Sequence, residues 1–243
     1  MDLGIFCKGT LDQEVVDHCF SALFTLGKNP DPTYLDWLMK AWGWTLAVAG
    51  LGLIIALFLG AVMGTLRTLP ADSALNRFLV RFSTAWVELF RNIPILVQVF
   101  LWYHVIPAFI PPLKGFPSYL LVSIALGFFT SARIAEQVRA GIQSLPSGQK
   151  AAATALGLTT FQSYRYVILP MALRIVIPPL TSESMNLIKN SSVAFAVSVP
   201  ELTLFAMQAQ EETSRGVEIY LADRKSTRLN SSHTDISRMP SSA

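Results

Sequence analysis

Charge is scarce in this chain: Lys, Arg, Asp and Glu make up only 14% of its 243 residues, while hydrophobic residues make up 52%. An ordinary soluble domain carries roughly 25% charged residues, so a water-exposed globule is a poor fit. The formal charge of +3 does not signal a nucleic-acid partner. Arg224, Lys225, Arg228 and Arg238 against the single acid Asp235 account for all of it, leaving residues 1 to 223 electrically balanced. No basic patch remains to grip phosphate. Cysteine is limited to Cys7 and Cys19, too few for a disulfide framework. The three histidines, His18, His104 and His233, sit at no ligand spacing, so no metal site is expected. His104, beside Trp102 and Tyr103 near a helix end, reads as interfacial. No Gly-x-x-x-x-Gly-Lys-Ser/Thr phosphate loop occurs, so the sequence offers no nucleotide-binding loop. No Gly-x-Ser-x-Gly elbow occurs either, and no catalytic residue is assigned. Asp12, Glu14 and Asp17 interrupt the place where a signal-peptide core would lie.

What the chain has instead is long uncharged runs. Ala41 to Leu66 is uninterrupted by charge and opens with Trp42 and Trp44, which suits a helix crossing a ~30 Å hydrocarbon core from an aromatic-rich interface. Gly60 and Gly64 have the spacing that permits close helix contact. Asn92 to Leu113 is a second run, ending at Pro107, Pro111 and Pro112, which favour an extended loop. Gly115 to Ala132 is a third, whose pattern continues past Arg133 through Val138. These runs predict an all-α polytopic membrane protein with spans near 41–66, 90–110, 117–138 and 173–199.

The fourth span differs because Glu183 and Lys189 lie inside it, among Ser182, Ser184, Asn186 and Asn190. Ionisable groups at that depth are costly unless they face the protein interior or a watery path. Helical spacing puts Ser182, Asn186, Lys189 and Val193 on one face. Either Glu183, Asn186, Lys189 and Asn190 line a substrate path, or Lys189 meets Glu183 or another carboxylate in an internal network. Basic residues concentrate in Arg67 to Arg91 and in Arg133 to Arg174. The positive-inside rule makes both stretches cytoplasmic loops and puts the N-terminus, residues 1–40, outside. Glu211, Glu212 and Glu218 then lie on the outer side. A new apolar run begins at Ile219 and is cut off, and residues 223–243 read as a polar, non-native tail.

Between the third and fourth spans, residues 143–171 form a short cytoplasmic segment. Its Ala-rich helix can end at Gly157 in a left-handed cap. A second helix starts at Thr159 with Gln162 three residues on, as in a capping box, and Pro170 closes it. The pattern Ala151-Ala152-Ala153-x-x-x-Gly157, running on to Ile168-Leu169-Pro170, resembles the cytoplasmic loop of ABC importer permeases. A second match, Val87-Glu88-Leu89-Phe90-Arg91-Asn92-Ile93-Pro94-Ile95-Leu96-Val97-Gln98, is similar to the start of the second helix in polar amino-acid permeases. Thr181 to Asn186 looks most like the glutamate/aspartate permeases of that family.

The resemblance covers roughly residues 35 to 222. It implies a type I, MetI-like transmembrane domain with four helices present and a fifth truncated, in a multi-pass subunit of the bacterial inner membrane. It implies two ATP-binding subunits that use ATP and Mg, a second permease subunit such as a paralogue, and a periplasmic solute-binding protein. It assigns Gly148, Ala151, Ala152, Ala153, Gly157, Ile168, Leu169 and Pro170 to the ATPase-coupling loop, with Ala151 standing where the family has Glu. Glu88, Arg91, Pro94 and Gln98 form the second-helix motif, although Glu88 and Arg91, three apart, can equally pair on a helix surface. Glutamate or aspartate is the implied substrate; glutamine, histidine or arginine are alternatives. From another class, an ion-coupled secondary transporter would use Glu183 and Lys189 as its coupling groups.

Overall fold

The first long helix, α1 (Tyr34–Leu66), contains no proline and runs for 33 residues, roughly 50 Å at 1.5 Å per residue. The computed structural model describes residues 34–70, 72–213 and 219 of the chain. Cys7, Cys19, most of the 1–40 segment, all but one residue of the apolar run from Ile219 and the polar tail lie outside the described residues. After α1 come α2 (Ala74–Asn92) and α3 (Ile95–Phe100), which passes through a π turn at Leu101–Val105 into α4 (Ile106–Phe109). A 3-10 turn at Pro111–Gly115 leads to α5 (Ser118–Gln143), followed by α6 (Ser147–Ala155) and α7 (Thr160–Ser163). A second π turn, Tyr164–Ile168, joins α7 to α8 (Leu169–Asn190); a 3-10 stretch, Ser191–Val197, precedes α9 (Leu202–Thr213).

Among the described residues, three helical stretches are long and apolar enough to cross a membrane: Tyr34–Leu66, Ser118–Gln143 and Thr160–Val197. Ala74–Asn92 with Ile95–Phe109 makes a fourth only as a broken pair, bent by 105°. The chain forms two units, Ala49–Asn190 and the residues on either side of it. In the Ala49–Asn190 unit, the core joins α1, α5 and α8 through Ala56, Ile134, Val138, Ile142, Ala172, Val176 and Leu187. The glycines of α1 make this possible. A Cβ on Gly60 would come within 2.5 Å of Ile134, and one on Gly64 within 2.6 Å of the Ala135 carbonyl, so the two backbones meet where no side chain fits.

In the other unit, Trp37 of α1 packs edge-on against Phe205 of α9 at 5.2 Å. The Tyr34 hydroxyl donates to Glu212 at 2.9 Å. Thr45 Oγ1 accepts from the Leu202 backbone N–H at 3.2 Å, and Glu201 Oε1 accepts from that of Leu204 at 3.2 Å, which satisfies donors in the first turn of α9.

Several expected boundaries are corrected. The stretch from Arg67 to Arg91 is not a loop: most of it is α2, started by Ser73, whose hydroxyl accepts from the Leu75 N–H. Its buried Ser83, Val87 and Phe90 keep a helical period that the arginines obscure. The span expected at 90–110 does not begin as one helix, because Ile93 adopts the extended conformation a following proline demands and Pro94 starts a new helix. Pro107 does not end that helix, which passes from the π turn at Leu101–Val105 through Pro107 into α4, and Pro111 and Pro112 open a 3-10 turn rather than an extended loop. The helix that carries the third span runs on to Gln143. Pro170 does not close the second loop helix: the helical stretch that carries the fourth span is already continuous from Thr160. The π turn just before Pro170 shifts the hydrogen-bond register there, so the helix continues past it.

Candidate functional site

The loop between α5 and α8 is built from two local stop and start signals. α6 ends in a Schellman motif: Gly157 has φ +76°, its N–H donates to the Thr154 carbonyl at 2.9 Å, and the Leu158 N–H donates to the Ala153 carbonyl at 3.1 Å. Two residues on, Thr159 and Gln162 form a reciprocal capping box. Thr159 Oγ1 accepts from the Gln162 N–H at 3.3 Å and Gln162 Oε1 accepts from the Thr159 N–H at 2.9 Å. The turn holds Leu156 and Phe161 almost wholly exposed, at 80% and 73%. Gly148, Ala151, Ala152, Gly157 and Pro170 are also exposed, Leu169 is half-buried, and Ala153 and Ile168 are buried. The eight loop residues thus divide into a surface set and a set that roots the loop in the helices. Tyr164 strengthens the root by donating its hydroxyl to the Thr68 carbonyl at the end of α1. A cavity of about 280 Å³ beside it is lined by residues including Arg67, Thr68, Ile142, Gln149 and Tyr164.

The Val87 to Gln98 motif straddles the break between α2 and α3. Helix α2 ends with carbonyls that have no intrahelical partner. Gln98, only 1% exposed, donates its side-chain amide to the Phe90 carbonyl at 2.8 Å and to that of Ile93 at 3.0 Å. Pro94 makes the corner and Gln98 seals it. Glu88 is exposed. Arg91 does not pair with Glu88 but reaches Glu136 on α5 at 3.4 Å.

Glu136 is a hub that residue-type reasoning missed. Arg67 from the end of α1, Arg91 from the end of α2 and Arg139 from the next turn of α5 converge on its carboxylate, with Arg139 at 2.8 Å and Arg67 hydrogen-bonded. The signal was Arg133, Glu136 and Arg139 at spacings of three, directly after an uncharged run. Glu183, 6% exposed, is held by Arg133 of α5 through Nε at 2.9 Å and Nη2 at 3.0 Å. Glu183 thus takes part in an internal ion pair, and the base that reaches it from α5 is Arg133, which residue-type reasoning did not name. Asn186, Lys189 and Asn190 are half-buried on the same helix. The face expected to extend from Ser182 to Val193 loses its register at Asn190, where the α period gives way to a 3-10 turn. Arg91, Phe129, Arg133, Glu136 and Gln137 line an open cavity of about 330 Å³. His104 is exposed and stacks on Phe100 at 5.8 Å. Among the described residues no cluster of three or more His, Cys, Asp or Glu could hold a metal ion.

Among the described residues, helices long and apolar enough to cross a membrane, close contacts at small residues and ion pairs between helices define a multi-span membrane protein. Residues 52–214 match the family described as binding-protein-dependent transport system inner membrane component, and the chain belongs to that family. The glutamate/aspartate import permease protein GltJ of Escherichia coli K12 is 44% identical over 200 residues, covering 78% of this chain and 79% of that protein. The probable amino-acid ABC transporter permease protein PatM of Vibrio harveyi is 33% identical over 185 residues, covering 76% and 81%. Among solved structures, an amino acid ABC transporter crystallised with histidines aligns with TM-score 0.70 at 25% identity, over 84% of this chain and 92% of that one. The inward-facing MetNI methionine ABC transporter aligns with TM-score 0.66 at 22% identity, over 83% and 94%, and speaks for the fold alone.

Proposed function

We propose that this chain is the membrane-spanning permease subunit through which polar amino acids, specifically glutamate and aspartate, are imported, with ATP hydrolysed by separate subunits. The observation that carries the reading is the similarity to GltJ over most of both chains, which includes the loop motif and the Val87 to Gln98 motif. The loop supplies the mechanical part. Its capped two-helix turn presents Leu156 and Phe161 outward, as a knob that an ATP-binding subunit can seat, and Gly148, Ala151, Ala152 and Gly157 form its exposed surface. Such a subunit closing on ATP moves the knob, and α8 carries that movement to Glu183, Asn186, Lys189 and Asn190, the residues proposed for the substrate path. This chain needs no ATP or metal site of its own in this scheme and acts without catalytic residues. Its partners are a second permease subunit, a paralogue, together with two ATP-binding subunits and a periplasmic solute-binding protein. The N-terminus lies on the periplasmic side, because the basic residues cluster on the side of the loop.

The test is reconstitution in proteoliposomes with a partner permease, ATP-binding subunits and candidate binding proteins, with uptake of labelled glutamate measured against competing amino acids. Suppression by glutamate and aspartate is expected. Suppression only by glutamine, histidine or arginine would remove the acidic assignment, and ATP-independent uptake by this chain alone would replace the whole reading with ion-coupled transport. Orientation is checked separately in a chain carrying Cys7→Ser and Cys19→Ser by replacing Lys114 or Gly148 with cysteine and labelling intact cells with an impermeant reagent. Labelling at 114 and not at 148 is expected, and the opposite result would reverse the topology.

A further inference from the structure

Helix α2 has three faces. At ~100° per residue, the buried Ser83, Val87 and Phe90 form one face. The charged Arg77, Arg81, Glu88 and Arg91 fall on a second. Leu75, Phe78, Phe82 and Leu89 fall within a sector of roughly 60° on the third. All four apolar residues are exposed, Leu75 and Phe78 at 64%, and the Phe78 and Phe82 rings stack at 6.4 Å. Strong amphipathicity with little net hydrophobicity is the mark of a helix that lies in a membrane interface rather than across it.

The packing of α2 gives its level. Trp86 meets Phe128 of α5 at 4.9 Å and its indole N–H donates to Ser131 at 3.3 Å. Val87 and Phe90 pack with Ala132 and Ala135. These α5 residues are where the uncharged run ends and Arg133 begins. The uncharged run of α1 ends at the same ion cluster, because Arg67, Arg91 and Arg139 all meet Glu136. Charges that end two spans mark the edge of the hydrocarbon. From that edge the uncharged Ile95–Phe109 segment turns away from α2 by 105° and follows α5, with Trp102 against Phe128 at 5.0 Å. A helix at a steep angle to the spanning segment, at the level where charge begins, runs in the plane of the membrane.

We propose that α2 is an in-plane lipid-binding helix, with Leu75, Phe78, Phe82 and Leu89 sunk at the acyl boundary and Arg77 and Arg81 on the phosphates of anionic phospholipid. The charged face carries three arginines against Glu88, and Arg91 is committed to Glu136. Arg77 and Arg81 are both exposed and give the face its complementarity to an anionic surface.

The test uses the full chain with Cys7→Ser and Cys19→Ser, reconstituted in phosphatidylcholine bilayers containing phosphatidylglycerol. Nitroxides are placed through single Leu75→Cys, Phe78→Cys, Phe82→Cys, Leu89→Cys, Arg77→Cys and Arg81→Cys substitutions. Collision rates with oxygen and with a water-soluble nickel chelate give the depth of each label. The four stripe positions are expected at one common depth, ~5–10 Å below the phosphates, with positions 77 and 81 open to nickel. Depth increasing steadily from 75 to 89 would mean that α2 crosses the membrane. Loss of both collisions along the stripe would mean that protein, such as a second copy, covers it. Either result overturns the proposal. For the lipid class, the selectivity for spin-labelled phosphatidylglycerol over phosphatidylcholine in the motionally restricted shell should fall by about fivefold for each arginine replaced in Arg77→Gln and Arg81→Gln. Unchanged selectivity would overturn the anionic assignment.

Discussion

Gly157 is the position where a small perturbation should separate folding from coupling. Its φ of +76° is the left-handed region, and a Cβ built there meets nothing within 4 Å. Substitution therefore costs backbone strain alone, about 1–2 kcal/mol for an ordinary L-residue, more for a β-branched one, and much less for Asn, which tolerates this region. A penalty of that size lowers the ratio of correctly set to displaced loops by roughly 5- to 30-fold. The core of α1, α5 and α8 does not involve this turn, so membrane levels should hold. Gly157→Val, Gly157→Ala and Gly157→Asn are compared in the reconstituted complex for uptake and for ATPase stimulation by loaded binding protein. The expected order of function is Asn nearest the parent, then Ala, then Val. Full stimulated uptake with Val would show that the turn does not couple. Asn failing as badly as Val would show that strain is not the cause and that the surface of the residue itself matters.

Two further outcomes follow from the Ala49–Asn190 unit. Gln98→Leu strands the Phe90 and Ile93 carbonyls at the α2–α3 corner and should lower stability by about 2 kcal/mol, seen as a reduced thermal midpoint in detergent; an unchanged midpoint would mean that water or lipid caps the corner instead. Arg133→Met leaves the Glu183 carboxylate buried without its arginine and should destabilise by about 3 kcal/mol, with much of the loss recovered by Arg133→Met combined with Glu183→Leu. A double variant no better than the single would refute the pairing as the source of the loss.

Composition and periodicity carried most of the fold. Long runs without charge announced α1, α5 and the greater part of α8, and the Gly157 and Thr159 signals are local enough to read from a handful of letters. α2 was hidden because its arginines, counted for topology, masked the Ser83, Val87 and Phe90 period. The break at Pro94 was hidden for a different reason. Proline inside an apolar run is compatible with a kink, a stop or a continuing helix, and at Pro107, Pro170, Pro178 and Pro179 the chain continues. What distinguishes Pro94 is Gln98, whose side chain repairs the broken ladder from four residues away, a contact that no propensity encodes. Glu136 and Arg133 needed three-dimensional information because their partners other than Arg139 come from residues 45 to 69 positions distant.

In the proposed coupling scheme the helical run from Thr160 to Asn190 is a lever. Phe161 at the exposed turn and Glu183 in the interior stand on one shaft, 22 residues apart, roughly 33 Å of helix. A tilt of about 5° at one end displaces the other by about 3 Å over that length, comparable to the reach of the bonds between Glu183 and Arg133. The π turn at Tyr164–Ile168 and the pair Pro178 and Pro179 are the places where such a shaft is weakened. Stiffness on either side of them sets how much of a push delivered at the turn arrives as rotation at the ion pair and how much is absorbed as bending. Shortening or straightening those two soft points would therefore alter the gearing of the transporter while leaving every residue at either end of the shaft untouched.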